Sequence, residues 1–208
     1  MASELLLKSA FVGVIMAAAV GPIWMLCFRR ALAEGFWVGF ASGLGAAGAD
    51  ALYAAVAAFG LTFVSDFLIE HRTLFMVGAC LFLLWLGAHM FRARPGRPVG
   101  PVATIRSSGL VQTCGVTLML TLANPMTILS FLAIFAGLGL TGARDLATAT
   151  SMVLGVFLGS TLWWVFLCGL AARIGPRLGD ATFVALNRAA GAFVVAFACY
   201  QLLLVARG

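Results

Sequence analysis

Six long apolar runs dominate this 208-residue chain and constrain its fold more than any other feature. Hydrophobic residues make up 63% of the sequence and charged residues only 10%, whereas soluble domains carry about 25% charged residues. A helix needs about 20 apolar residues to cross a bilayer, so we expect the six runs and their loops to leave no room for a soluble domain. The runs predict six transmembrane helices, at residues 5–28, 36–64, 70–91, 109–138, 145–171 and 182–206.

The first and fourth runs are each interrupted by a proline, at Gly21-Pro22 and at Asn124-Pro125. Proline lacks an N–H group and therefore frees the carbonyl four residues earlier, which in the fourth run is that of Thr121. Lipid cannot satisfy a freed carbonyl, so a broken helix survives only where protein or a cavity surrounds it. Matching breaks in the two halves of a chain are typical of transporter binding sites.

The two breaks divide the chain into halves of three spans each. Three spans reverse the side of the membrane from which the next half starts, so any repeat must be inverted in topology. The predicted fold is therefore an all-α membrane protein with six transmembrane helices in two inverted three-helix repeats, the first and fourth helices broken at proline. We expect a single domain over residues 1–208, with repeats at about 5–91 and 109–206 and a cytoplasmic linker at about 92–108.

A weak internal similarity agrees with this arrangement. Residues 44–53 of the second span align with residues 154–163 of the fifth, and the alignment places Asp50 opposite Ser160. Apolar sequences align easily by chance, so the similarity gains weight only from its agreement with the proline breaks.

The basic residues predict an orientation in the membrane. Counted by alternate sides, four Lys and Arg residues lie on one side and nine on the other, and cytoplasmic loops are the richer in positive charge. We therefore expect a multi-pass membrane protein with both termini outside the cytoplasm, and basic loops that contact lipid rather than nucleic acid. The outer residues are Lys8, Arg72, Arg144 and Arg207; the cytoplasmic ones are Arg29, Arg30, Arg92, Arg94, Arg97, Arg106, Arg173, Arg177 and Arg188.

Asp50 lies near the centre of the second span, where a carboxylate is so costly that a functional role is the default. Helical spacing gives it a face of small residues, and glycines at positions 35, 39 and 43 predict close helix packing. Asp50 should therefore face protein and not lipid. A purely structural carboxyl, hydrogen-bonded to a neighbouring helix, is the alternative. The residues expected on its face are Gly43, Ala46, Ala47, Ala54 and Ala57.

The broken helices predict a binding site for a zwitterion. Asn124 is a good cap for a half-helix that begins at Pro125, and Pro22 begins a second half-helix after Gly21. Helix N-termini carry partial positive charge and unsatisfied N–H groups that bind carboxylates. Asp50 would hold the ammonium group of the substrate or the coupling proton. The alternative is that both prolines merely kink helices for packing.

Aromatic residues and one histidine are further candidates. Trp163 is expected to line the substrate path, opposite the helix that carries Asp50 and Tyr53. Packing inside the protein or contact with lipid would explain a tryptophan at this position equally well. Trp163 and Trp164 cannot both face inward. His89 ends the third span, where an interfacial position is favoured over a proton relay.

Motifs of enzymes and cofactor sites are absent from the sequence. It contains no Ser/His/Asp set, no phosphate-binding glycine loop, no CxxC and no cluster with metal-ligand spacing, so we predict no enzyme and no cofactor. A cation or metal-ion exporter that uses Asp50 is an alternative within transport. A membrane thiol-disulfide relay that uses Cys27 and Cys114 is a less favoured one.

Several of these residues together carry a family resemblance. The break at Gly21-Pro22, the segment Arg29 to Leu32, the glycine-rich helix up to Asp50 and the segment Leu122 to Pro125 resemble the LysE/RhtB family of amino-acid exporters, over nearly the whole chain. The resemblance implies six helices, a location in the plasma (inner) membrane and export of amino acids from the cell, driven by the proton gradient. We expect a secondary transporter for an amino acid or similar small polar metabolite. The sequence leaves open which metabolite, which coupling ion and whether the protein is a homodimer.

Overall fold

A computed structural model describes residues 2–60, 70–91, 109–124 and 145–207, with positions 127, 130, 131, 134 and 135 between the last two ranges. The regular structure in these residues is helical, as predicted. The helices are α1 (Ala2–Ala18), α2 (Pro22–Glu34), α3 (Phe36–Ala58), α4 (Arg72–Phe91), α5 (Gly109–Leu122), α6 (Leu146–Ile174) and α7 (Asp180–Arg207), and a 3₁₀ turn, Gly175–Arg177, follows α6.

Several helices are suited to a membrane by length and composition. Among the described residues, three helical stretches are long and apolar enough to cross one, and α1 with α2 makes a fourth if the bent pair counts as one span. These helices support a multi-pass membrane protein, whereas the full count of six spans stays a prediction. The three long stretches are Phe36–Ala58, Leu146–Arg177 and Val184–Leu204.

The first predicted break is present in the structure. α1 stops at Ala18, and the chain turns by 80° before α2 begins at Pro22. Gly21 is the extended N-cap residue, and Pro22 occupies the first turn, where its missing N–H costs no hydrogen bond. The predicted end of this span at residue 28 is wrong, because α2 runs on to Glu34 before Gly35 adopts φ of 90° and starts the turn into α3.

The second break also lies where the sequence predicts an interruption. α5 ends at Leu122, and the chain leaves the helix at Asn124, whose N–H donates to the Thr121 carbonyl at 3.1 Å. The Asn124 carbonyl in turn accepts a hydrogen bond from the Thr127 N–H at 3.1 Å. Pro125 lies outside the described residues.

The helices pack against one another in pairs. α1 packs against α6, α5 against α3, and α4 against α7, while α3 and α6 contact each other. Glycines permit backbone contact in these pairs: a Cβ atom on Gly155 of α6 would lie 2.6 Å from the Leu6 carbonyl of α1, and one on Gly45 of α3 would meet the Cys114 carbonyl of α5. First span against fifth and fourth against second is the pattern that inverted repeats would produce, and the repeats themselves stay a prediction.

The small-residue face of α3 is buried, as predicted from helical spacing. A Cβ atom on Gly39 would lie 2.5 Å from the Ala31 Cβ of α2, and one on Gly43 would lie 2.6 Å from the Trp164 Cβ of α6. Both glycines therefore serve close packing. Gly35 does not, because a Cβ atom there would meet nothing within 4 Å and its positive φ serves the turn instead.

α6 begins with a side-chain cap at Asp145. The Thr148 N–H donates to Asp145 Oδ1 at 2.7 Å, and this bond holds the pKa of the exposed carboxyl below its usual value. The cap satisfies one of the N–H groups that a helix start leaves without an intrahelical partner.

Candidate functional site

Both helix breaks line one small cavity. Pro22 and Ile23 contribute the start of α2, Asn124 follows the end of α5, and Gln201 of α7 completes the polar part of the lining. The structure thus brings together Pro22 and Asn124, two of the predicted site residues, from segments about a hundred positions apart. The cavity measures about 20 Å³, which is room for about one water molecule. The remaining lining residues are Met76, Cys80, Leu83, Leu120 and Phe197.

The start of α2 places the partial positive charge of a helix N-terminus at the cavity lining. The first bond of the new helix runs from the Met25 N–H to the Gly21 carbonyl at 3.0 Å. The N–H groups of Ile23 and Trp24 precede it, so helix geometry leaves them without an intrahelical acceptor. With the partial positive charge of a helix N-terminus, these groups form a site for an anionic group.

Gln201 contributes a buried side-chain amide to the cavity lining. Its side chain is only 7% exposed, and its Oε1 atom has no hydrogen-bond partner among the described residues. Buried amide oxygens are normally paired. Sequence reasoning missed this residue, and its one available signal was a lone amide in an otherwise apolar stretch of the last span.

Asp50 lies outside this cavity, at the contact between α3 and α6. Its side chain is 5% exposed, and its Oδ2 atom accepts a hydrogen bond of 2.7 Å from the Ser160 hydroxyl. Its predicted orientation toward protein is confirmed. The two residues that the internal alignment places opposite each other are thus in direct contact.

Tyr53 does not line the cavity but hydrogen-bonds to the end of α5, next to the second break. Its hydroxyl donates to the Leu122 carbonyl at 2.8 Å and lies 3.4 Å from the Thr121 carbonyl. The Thr121 carbonyl is the one that sequence analysis expected to be freed, and the Asn124 N–H also reaches it. The Tyr53 ring is buried against Phe131, with ring centroids 6.0 Å apart.

Two arginines of α2 are buried inside the helix bundle. Arg29 is 6% and Arg30 is 2% exposed, so the prediction that they lie in a loop is wrong, because α2 continues past them to Glu34. Arg30 Nη1 donates to Ser42 Oγ at 2.6 Å and to Thr117 Oγ1 at 3.1 Å, which joins α2 to α3 and α5. Glu34, one turn after Arg30, acts on both guanidinium groups electrostatically.

The two adjacent tryptophans take different positions. Trp164 is the inward one, 2% exposed and packed on Gly43 of α3. Trp163 is partly buried and has its ring centroid 5.7 Å from that of Phe166. Neither lines the cavity described above. The side chain of His89 lies outside the described residues.

The cysteines are free thiols in the structure. Cys27, Cys80 and Cys168 are buried, Cys114 is partly buried, and Cys199 is exposed. Of the five, only Cys80 lines the cavity. In the described part of the chain, no group of three or more His, Cys, Asp or Glu side chains is placed to hold a metal ion.

Comparison with known proteins assigns the family. The family described as LysE type translocator matches residues 14–204, which is nearly the whole chain and includes both breaks, Asp50 and Gln201. No curated protein and no solved structure matches the chain. The family match agrees with the resemblance carried by the residues around the two breaks. The chain therefore belongs to the LysE type translocator family.

Proposed function

We propose that this translocator is a proton-coupled secondary transporter that exports an amino acid or a similar small polar metabolite across the plasma membrane. One observation carries the proposal: the two helix breaks, far apart in the chain, line the same cavity. A pair of helices that merely kink for packing has no need to place both breaks around one space. Discontinuous helices that meet at a shared site are how secondary transporters bind substrates.

The substrate carboxylate binds at the start of α2. The N–H groups of Ile23 and Trp24 lie in the first turn after Pro22, and Asn124 reaches the same cavity from the second break. Fixed N–H dipoles in a poorly hydrated site bind an anion more strongly than the same groups would in water.

Proton coupling is assigned to Asp50 and Ser160. A hydroxyl both donates and accepts, so Ser160 pairs with the ionised carboxylate as a donor and with the protonated acid as an acceptor. The contact between α3 and α6 therefore persists in both protonation states of Asp50. Asp50 is accordingly proposed as the carrier of the proton. It does not line the cavity, so the ammonium group is left to other residues. No observation in the described residues favours the cation exporter or the thiol relay over this proposal.

Transport by the purified protein tests the proposal. Proteoliposomes would be loaded with a mixture of labelled amino acids, and efflux would be followed with either a more acidic or an equal external pH. The proposal predicts efflux of at least one amino acid that the acidic exterior accelerates and a protonophore slows to the rate without a gradient. Protein-free liposomes are the control. Absence of amino-acid efflux above that control under both conditions would overturn the proposal.

A further inference from the structure

The cavity at the two breaks has a chemical character that restricts what it can bind. Among the described residues that line it, none has an ionisable acid or base side chain that is charged at neutral pH. Its polar groups are the start of α2, Asn124 and Gln201, and the rest of the wall is apolar. A charged substrate side chain placed there would lose water and gain no partner of opposite charge, which is unfavourable.

The polar groups that line the cavity differ in hydrogen-bonding character. The first N–H groups of α2 attract a carboxylate, whereas Gln201 Oε1 is an acceptor that is buried without a donor among the described residues. Such an unpaired acceptor is expected to receive its donor from a ligand or a water molecule. An α-amino acid carries both complementary groups on one carbon, a carboxylate acceptor and an ammonium donor.

Resting on the function proposed above, we infer that this transporter selects amino acids with uncharged, apolar side chains and that Gln201 Oε1 binds their ammonium group. The substrate carboxylate lies at the N–H groups that follow Pro22. The side chain of the amino-acid substrate packs against Leu83, Leu120 and Phe197. Leucine, methionine and valine fit this description, and lysine, arginine and glutamate do not.

The size of the cavity adds a requirement for movement. At about 20 Å³ it holds about one water molecule, so an amino acid enters only when the walls separate. Pro22 and Gln201 lie on α2 and α7, two helices that contact each other directly, and parting these helices would open the site. As it stands in this structure, the cavity is too small to hold an amino acid.

Counterflow exchange with unmodified protein tests the selectivity. Proteoliposomes that contain unlabelled leucine would take up labelled leucine, and a tenfold excess of other amino acids would compete from outside. Methionine and valine should reduce uptake strongly, and lysine, arginine and glutamate should not. Equal competition by lysine or glutamate would overturn the inference while leaving the amino-acid transporter intact. Absence of exchange with every amino acid would instead overturn the proposed function.

Variants of Gln201 test the residue itself. Gln201→Leu removes the acceptor oxygen and should weaken the apparent affinity for leucine roughly tenfold or more, as expected for a lost hydrogen bond to a charged group. Gln201→Glu keeps an acceptor and should retain leucine exchange. Gln112→Leu is the matched control, because Gln112 is exposed on α5 outside this cavity, and it should behave as wild type. Wild-type affinity in Gln201→Leu, or equal losses in Gln201→Leu and Gln201→Glu in protein that elutes normally in detergent, would contradict the assignment.

Discussion

Gly155→Ala should destabilise the protein by pushing α1 away from α6. A Cβ atom at this position would lie 2.6 Å from the Leu6 carbonyl oxygen and 2.7 Å from the Ser9 Cβ. An ordinary carbon–oxygen contact is about 3.3 Å, so α1 would have to move by roughly 0.7 Å. The carbonyl belongs to the backbone of a helix and cannot rotate aside as a flexible side chain would.

The expected cost follows from overpacking and from helix propensity. Forcing an extra carbon into a packed interface costs about 1–3 kcal/mol, while alanine favours a helix over glycine by about 1 kcal/mol. Gly169→Ala on the same helix is the matched control, because a Cβ atom there would meet nothing within 4 Å. Both variants gain the higher helix propensity of alanine, so their free energies of unfolding should differ by the packing cost alone.

Thermal unfolding in detergent, followed by the loss of the monodisperse peak, measures this difference. At about 2–4 °C per kcal/mol for a chain of this size, Gly155→Ala should melt about 2–12 °C below Gly169→Ala. Gly159→Ala should be at least as damaging, since its Cβ atom would collide with the Ala10 carbonyl. Equal melting temperatures for Gly155→Ala and Gly169→Ala would refute the close packing of α1 on α6.

Thr117→Val should lower the free energy of unfolding by about 1.5–3 kcal/mol, because buried Arg30 loses one of its hydroxyl partners. Thr113→Val, which removes a hydroxyl that donates to the Gly109 carbonyl of its own helix, is the control in the same denaturation series, and equal losses would contradict the role of Arg30. Replacing all five cysteines by alanine or serine should leave efflux substantially intact, since the thiols pack as small side chains. Loss of transport in both Cys27→Ser and Cys114→Ser, at normal protein levels, would favour redox chemistry instead.

The features that sequence reasoning predicted are those with local causes. Proline removes a specific hydrogen bond, so the positions of both breaks and the freed Thr121 carbonyl followed from the sequence. The burial of Asp50 followed from helical spacing and from its cost in lipid. These inferences required no knowledge of how the helices are arranged.

The features that it missed depend on the arrangement of helices. Arg29 and Arg30 are buried because α2 continues to Glu34. The sequence does not indicate this continuation, because the apolar run ends at residue 28. Only the position of α7 beside the start of α2 makes Gln201 a candidate for the site. The contact of Tyr53 with the end of α5 likewise depends on tertiary packing, because two residues almost seventy positions apart show no pattern in the sequence.

Net export driven by pH, compared between wild type and Asp50→Asn, tests the central claim most directly. Asparagine keeps the size of the side chain and can still accept the hydrogen bond from Ser160, but it cannot take up or release a proton. Proteoliposomes would be assayed for concentrative efflux of the exported amino acid under a pH gradient and for counterflow at equal pH. We predict that Asp50→Asn loses pH-driven efflux and keeps counterflow, which needs binding but no net movement of protons. An Asp50→Asn protein that builds the full pH-dependent gradient would show that the carboxylate is structural and would contradict the proposed coupling.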